Sequence, residues 1–300
     1  MAKESRILTG QVAAITGGAR GIGRAMAEAF VRQGMRVAIG DVDVETAQQT
    51  AAEIGAGTIA LPLDVTTRAS VEGFADAVEE QLGPIDVFVN NAGIMQVGRF
   101  LEEDDATAKR QMDINVHGVL FGMKVVLPRM VERNRGHMVN VASQAGKAGV
   151  PGLATYCASK HAVVGATEAV RGELRHLGAS GVSLSLVMPN LVDTELGMGV
   201  DANRASKLLT PEQVADAVVV ALRENRFEVY VPASAKALLL GASLMPRPAV
   251  EAVARALKAD STFWNADPAR RRQYELRAAR SEPALAPGDD DQQQLPERVA

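Results

Sequence analysis

A short apolar run that ends in glycines and restarts at once as an amphipathic helix leaves a chain few folds to choose from. Gln11 to Thr16 (QVAAIT) reads as a buried strand. Thr16-Gly17-Gly18-Ala19-Arg20-Gly21-Ile22-Gly23 follows it, and from about Ile22 to Gln33 the apolar residues Ile22, Met26, Ala29 and Phe30 recur at helical spacing. Glycines let the backbone turn sharply and let a pyrophosphate come close, while the helix N-terminus offers free N–H groups and the positive end of its dipole. A glycine-rich turn by itself is common. With a strand before it and a helix after it, the turn reads as the start of a dinucleotide-binding unit.

The alternation of strand and helix continues. Arg36 to Gly40 is a second strand ending at Asp41, and Thr58 to Leu63 a third, running into Asp64-Val65. Thr67 to Leu82 is helical, and Ile85 to Asn90 is a fourth strand leading into Asn91-Ala92-Gly93. Such alternation predicts an α/β fold with a doubly wound parallel sheet of the Rossmann type. Ligands of these sheets bind at the carboxyl ends of the strands, so Gly17, Asp41, Asp64 and Asn91 are expected to line one crevice. Asp41 lies about 20 residues past the glycines, where a ribose 2′-hydroxyl is held. A carboxylate there accepts hydrogen bonds from the hydroxyl and repels a 2′-phosphate, which favours NAD. Arg20 argues for NADP, because a guanidinium in the loop can pair with that phosphate. Asp41 carries the greater weight because it occupies the ribose position itself. Its plain alternative is a cap on the helix that starts near Val44.

The second half carries the chemistry. Ala106 to Arg133 is a long helical pattern containing Asn115 and Gly118, both poor helix-interior residues. Asn115 reads either as a buried amide satisfying backbone groups or as a local break that orders water near a site. Gly136 to Ala142 is a strand with Ser143 at its end. The next helix, about Thr155 to His176, is headed by Tyr156-Cys157-Ala158-Ser159-Lys160, and residues four apart share a helix face. A tyrosine normally ionises near pH ~10. A lysine ammonium beside it stabilises the phenolate and is expected to lower that value. An isolated Tyr-x-x-x-Lys is more often a solvated helix face; here the order Ser143, Tyr156, Lys160 behind a dinucleotide turn gives it meaning. Cys157 is the one cysteine, which excludes an intramolecular disulfide and fits a reducing cytosol. A packing role is the plainer reading of it than a reactive thiol.

TGGARGIG, LDV, NNAG, the asparagine of NVHG, the strand-end serine and YCASK occur in this order. Together they resemble the classical short-chain dehydrogenase/reductase family over about Gln11 to Pro232. The resemblance implies that Tyr156 is the general acid/base and that Lys160 lowers its pKa and binds the nicotinamide ribose. It implies that Ser143 holds the substrate oxygen and that Asn115 supports a proton relay. Gly17, Arg20, Gly21, Ile22 and Gly23 would surround the pyrophosphate and adenosine ribose, Asp41 the adenine ribose, and Asp64 and Val65 the adenine ring. Asn91, Ala92 and Gly93 would lie beneath the cofactor, and Pro189, Val192 and Thr194 at its nicotinamide end. The family usually has glycine where Asn190 stands; asparagine tolerates positive φ better than most residues, so the turn can survive. Leu196 to Leu209 is expected to be a mobile substrate lid, with Gly197, Met198 and Gly199 suited to a flexible apolar cover. Met95, Gln96, Val97, Gln144, Leu153 and Leu191 are mostly apolar pocket candidates, which points to a bulky hydrophobic alcohol or ketone such as a steroid, retinoid or fatty alcohol.

The remainder bounds these expectations. Three hundred residues with a net charge of −4 give no electrostatic footprint for nucleic acid. His117, His137, His161 and His176 show no ligand spacing, so no metal is expected. The first residues, Met1 to Gly10, do not read as a signal peptide. No run reaches the ~20 apolar residues of a membrane span. Residues 1–234 read as one catalytic domain, 235–280 as a helical C-terminal extension and 281–300 as a disordered tail. Within the extension, KALLLGASLM (Lys236 to Met245) and the amphipathic Ala249 to Lys258 are expected to form a helical hairpin packed on the domain or a second subunit. The rival reading is a peripheral membrane contact through residues 236–258. A charged helical pattern follows from Arg270 to Arg280. The expected protein is cytoplasmic, a homodimer or homotetramer, and uses NAD, with NADP as the alternative. A serine hydrolase is disfavoured, because Ala142-Ser143-Gln144 is no G-x-S-x-G elbow. A nucleotide-binding regulator or membrane-recruited scaffold remains as the non-catalytic alternative.

Overall fold

A computed structural model describes residues 6–200, 208–256 and 261–280. The strands are β1 (Val12–Thr16), β2 (Arg36–Asp41), β3 (Ile59–Pro62), β4 (Ile85–Asn90), β5 (Gly136–Val141), β6 (Val182–Pro189) and β7 (Glu228–Val231). They form one seven-stranded sheet in the order β3-β2-β1-β4-β5-β6-β7, parallel throughout. The order reverses direction between β1 and β4. That is the switch point at which a doubly wound sheet opens its ligand crevice.

Helices α1 (Gly21–Arg32), α2 (Val44–Ile54) and α3 (Arg68–Leu82) connect the first four strands. A continuous helical run from α4 (Asp105–Met112) through a π turn (Asp113–His117) to α5 (Gly118–Glu132) leads to β5. The run Asp105–Glu132 is long and apolar enough by composition to cross a bilayer, contrary to expectation, but 61% of its most apolar window is buried inside the protein. It is a core helix. Helices α6 (Ala154–His176) and α7 (Pro211–Glu224) complete the layers. Thr210 and Gln213 form a reciprocal capping box at the start of α7, with Pro211 as its first residue. The strands are apolar on both faces because helices cover both: Phe88 and Met138 face one apolar layer, Ile15 and Val139 the other.

Past β7 come α8 (Ser234–Ser243), α9 (Arg247–Ala256) and α10 (Pro268–Arg280). The sequence points to the apolar α8 and α9 as the packed pair. The structure seats the charged helix instead: Tyr274 and Ala278 of α10 join the main core, while Leu238, Leu240 and Leu244 of the preceding stretch are exposed. The end of the amphipathic Ala249 to Lys258 pattern, residues 201–207 of the expected lid, and the tail 281–300 lie outside the described residues.

Candidate active site

The strand ends converge on one cleft of about 460 Å³. Gly17, Arg20, Gly21, Ile22, Asp41, Asp64, Val65, Asn91, Ala92, Gly93, Ser143, Tyr156, Lys160, Pro189, Val192 and Thr194 all line it. Gly23 and Asn115 stand one layer behind. A methyl group on Gly23 would collide with the Gly17 carbonyl oxygen, so α1 closes onto β1 only with glycine there. Gly17 and Gly21 hold left-handed backbone at the turn, with φ of +65° and +53°. The Asn91 amide donates to the carbonyl oxygens of Thr16 and Gly17, at 2.9 Å each, and the Thr16 hydroxyl accepts from the Asn91 and Ala92 N–H groups. The turn is thereby stitched to the end of β4. Thr16 was not singled out in the sequence; its place as the last residue of a strand that opens a glycine turn was the available signal.

At the next strand end, Asp41 accepts from the N–H groups of Ala19 and Asp43, both at 3.1 Å. Burial pushes its carboxyl pKa up, and these donors together with Arg20 pull it back. The helix cap proposed as its alternative role belongs to Asp43, which accepts from the Thr46 N–H. Arg20 does not point freely into the cleft: its guanidinium donates to Asp43 at 2.6 Å and to the Thr46 hydroxyl at 2.7 Å. Asp64 is fixed by the N–H and hydroxyl of Thr66.

Tyr156 and Lys160 occupy the first turns of α6 and face inward, both buried. The Lys160 ammonium donates to the Val141 carbonyl oxygen at 3.0 Å and sits 5.7 Å from the Tyr156 ring centre. The expected lowering of the Tyr156 pKa is not what the chain by itself produces. Burial raises it well above the ordinary value, the Ser143 hydroxyl opposes that rise, and Tyr274 and Cys157 add to it. Desolvation also lowers the Lys160 pKa to about 8. One of the ammonium's three donors goes to Val141, and the larger effect on the buried phenol is its own desolvation. The Ser143 hydroxyl accepts from the Ala145 N–H at 3.1 Å and donates to the Pro189 carbonyl at 3.4 Å. Cys157 is buried, and burial pushes its thiol pKa up, as expected of a packing residue.

Asn115 lies in the π turn with no exposure. Its amide accepts from the Ile94 N–H at 2.8 Å and donates to the Ile94 carbonyl at 2.8 Å and the Ser159 hydroxyl at 3.0 Å. The buried-amide reading is what the contacts show, and they are made inside a break in the helix. Gly93 lies between, and a methyl there would come within 3.1 Å of Asn115 Oδ1 and 3.5 Å of Lys160 Nζ.

Asn190 departs from expectation. It is not among the residues with positive φ; its side-chain oxygen instead accepts from the Leu191 N–H at 2.8 Å, and its own N–H reaches the Val231 carbonyl. An ordinary backbone with a side-chain bond replaces the conformational freedom of glycine. Three residues that the sequence did not assign to the cleft, Leu239, Phe263 and Tyr274, line its outer end.

Comparison with known proteins bears on this geometry. The family described as short chain dehydrogenase matches residues 11–205. The sorbitol dehydrogenase of Cereibacter sphaeroides is 43% identical over 200 residues, covering 66% of this chain and 77% of that one. The 17-beta-hydroxysteroid dehydrogenase 13 of Mus musculus is 33% identical over 236 residues, covering 77% of this chain and 76% of its own. A crystal structure of a short chain dehydrogenase/reductase from Burkholderia phymatum in complex with NAD aligns with a TM-score of 0.72 at 31% identity, covering 78% of this chain and 93% of that chain.

Proposed function

The chain belongs to the short-chain dehydrogenase family, and from that premise we propose that it is an NAD-dependent oxidoreductase acting on the CH–OH group of a bulky hydrophobic secondary alcohol, or on the corresponding ketone. The observation that carries this reading is the meeting of Ser143, Tyr156 and Lys160 with the glycine turn and Asp41 in one cleft. The turn fits a dinucleotide, since its left-handed glycines and the close approach at Gly23 leave backbone N–H groups at a helix N-terminus open to a pyrophosphate. The cofactor, when bound, supplies a hydride acceptor or donor at its nicotinamide ring.

The residues of the chain handle the proton. Ser143 holds the substrate oxygen by hydrogen bonding. In oxidation Tyr156, as phenolate, takes the hydroxyl proton while the carbon gives up hydride; in reduction the phenol returns a proton to the carbonyl oxygen. Lys160 holds the nicotinamide ribose and its charge stabilises the phenolate. Asn115 fixes Ile94 and the π turn behind this relay.

The outer end of the cleft supports an apolar substrate over a polyol. Met95, Leu153, Leu196, Leu239 and Phe263 line it. Three of its polar side chains already hold partners within the chain: Gln144 donates to the Val231 carbonyl, Glu195 pairs with Arg277, and the Tyr274 hydroxyl accepts from the Met95 N–H. A polyol would leave several hydroxyls without matched partners, at a cost that grows with each. The test is a panel of secondary alcohols, from polyols to steroids, assayed for NADH formation with the wild type and Tyr156→Phe. Turnover on the apolar members, abolished in Tyr156→Phe while NAD affinity stays nearly intact, is the expected result. Near-normal turnover in Tyr156→Phe would refute the mechanism.

A further inference from the structure

Among the described residues, the largest of the fully buried side chains is an arginine. Arg271 of α10 is 1% exposed. Leaving a guanidinium out of water is costly unless its donors are met. Here they are met by three main-chain carbonyl oxygens from two separate parts of the cleft: Nη1 donates to Leu196 at 3.1 Å and Met198 at 2.7 Å, and Nη2 to Met95 at 2.8 Å. Its charge is balanced by Glu275 one helical turn on, at 3.1 Å. Three residues further along the same face, the Tyr274 hydroxyl accepts from the Met95 N–H at 2.8 Å. The Asp267 N–H donates to the Gly199 carbonyl at 2.9 Å, and Arg277 pairs with Glu195. Four of the five residues Glu195–Gly199 are thereby tied to α10 or to Asp267 just before it, and so is Met95 in the segment that follows β4.

Met95 of one segment and Glu195 and Leu196 of the other both line the cleft. We propose that α10 is a built-in end wall of the substrate site, in which Arg271 fixes the distance between the Met95 and Leu196–Met198 walls and Tyr274 sets how long a substrate the cleft admits. The inference rests on the alcohol or ketone reading of the cleft, and it assigns substrate length to a helix some hundred residues beyond Lys160 in the sequence. A planar, multiply donating guanidinium can bridge three carbonyls at once, which a lysine ammonium at one point cannot do with the same geometry. Arg271 is a positioning residue. Tyr274 meets the substrate directly, because it lines the cleft.

The test uses the full chain and two readouts. The first is amide hydrogen exchange of the Glu195–Val200 segment and of Met95 in the wild type, Arg271→Met, Arg271→Lys and Tyr274→Phe. Exchange at least tenfold faster in Arg271→Met, with Arg271→Lys intermediate, is expected. The second is kcat and KM for a homologous series of straight-chain secondary alcohols with NAD. Tyr274→Ala is expected to move the preferred chain length upward by several carbons, acting through KM, while NAD affinity stays within twofold. Should Arg271→Met fail to fold, Tyr274→Phe, which removes a single hydroxyl, still reads the Met95 contact. Unchanged exchange in the segment, or a chain-length profile of wild-type shape in Tyr274→Ala, overturns the proposal. If no alcohol is turned over by the wild type, the enzymatic reading fails instead, and the exchange data still decide whether α10 clamps the two walls.

Discussion

Asp41 and Arg20 argue for different cofactors, and the partners each has found frame the test between them. The Arg20 charge is already paired with Asp43 and its guanidinium also donates to the Thr46 hydroxyl, while Asp41 stands at the end of β2 with two backbone donors behind it. The expected wild type prefers NAD. Asp41→Ala should narrow that preference roughly 10- to 100-fold, since removing one desolvated charge repulsion is worth about 1–3 kcal/mol. Adding Asp43→Asn, which keeps a helix cap but drops the charge holding Arg20, should invert it. Ratios of kcat/KM with NAD and NADP measure both steps; a wild type preferring NADP would show that Arg20 is free to act after all. Tyr156 gives a second expectation at this scale. Burial raises its pKa, so the phenol stays protonated through neutral pH. The protonated form is the acid that ketone reduction needs, and oxidation needs its conjugate base. Oxidation should therefore speed up by as much as about tenfold per pH unit between roughly pH 7 and 9, while reduction stays flat or falls. A flat pH profile for oxidation would mean that bound NAD brings the phenol's pKa below neutrality.

The π turn at Asp113–His117 shows what an element can do that its residues alone cannot. Asn115 sits in this wider turn, and from it the amide meets both main-chain groups of Ile94. Asn115→Ala leaves those buried groups without partners, and each unmet group costs about 1–3 kcal/mol. Urea unfolding should show a loss of that order, accompanied by lower turnover. Retained stability would mean that water replaces the amide. The first five strands, α1 to α6 and the residues of the glycine turn were legible in sequence because short apolar runs alternate with segments that repeat an apolar side at helical spacing. Asn115 and Gly118 marked a break there but not its kind, since no sequence period separates a π turn from a kink. Helix α10 was legible as a helix but not as a wall: three arginines in a row read as a solvated face. The usable signal was Arg271, Tyr274 and Ala278, spaced three and four apart and so on one face. A guanidinium that bonds main-chain carbonyls leaves no trace in composition, and only the fold brings those carbonyls to it.

At the scale of the whole molecule, the C-terminal extension is anchored by its charged helix and not by its apolar one. Leu238, Leu240 and Leu244 are 72%, 56% and 87% exposed, and Val253 49%, whereas Arg271 is 1%, Tyr274 8% and Ala278 4% exposed. Hydrophobicity alone would rank them the other way. Apolar side chains gain only what area they lose to water, and α8 sits on the rim past β7 where little surface faces it. Helix α10 gains area through Tyr274 and Ala278 and also satisfies carbonyls that would otherwise be stranded in the cleft wall. The two helices should answer mutation differently. Leu238→Gln with Leu244→Gln changes exposed positions, whose substitutions usually stay within about 0.5 kcal/mol, so the thermal midpoint should move by no more than about 2 °C. Tyr274→Ala removes a buried aromatic side chain at a cost near 3 kcal/mol, and should lower the midpoint by about 6–12 °C. Thermal unfolding of the two variants beside the wild type, with light scattering to fix the size of the particle, makes the comparison. A large loss in the leucine variant would place α8 against a second surface in solution, and a smaller particle in that variant would identify the surface as another copy of the chain.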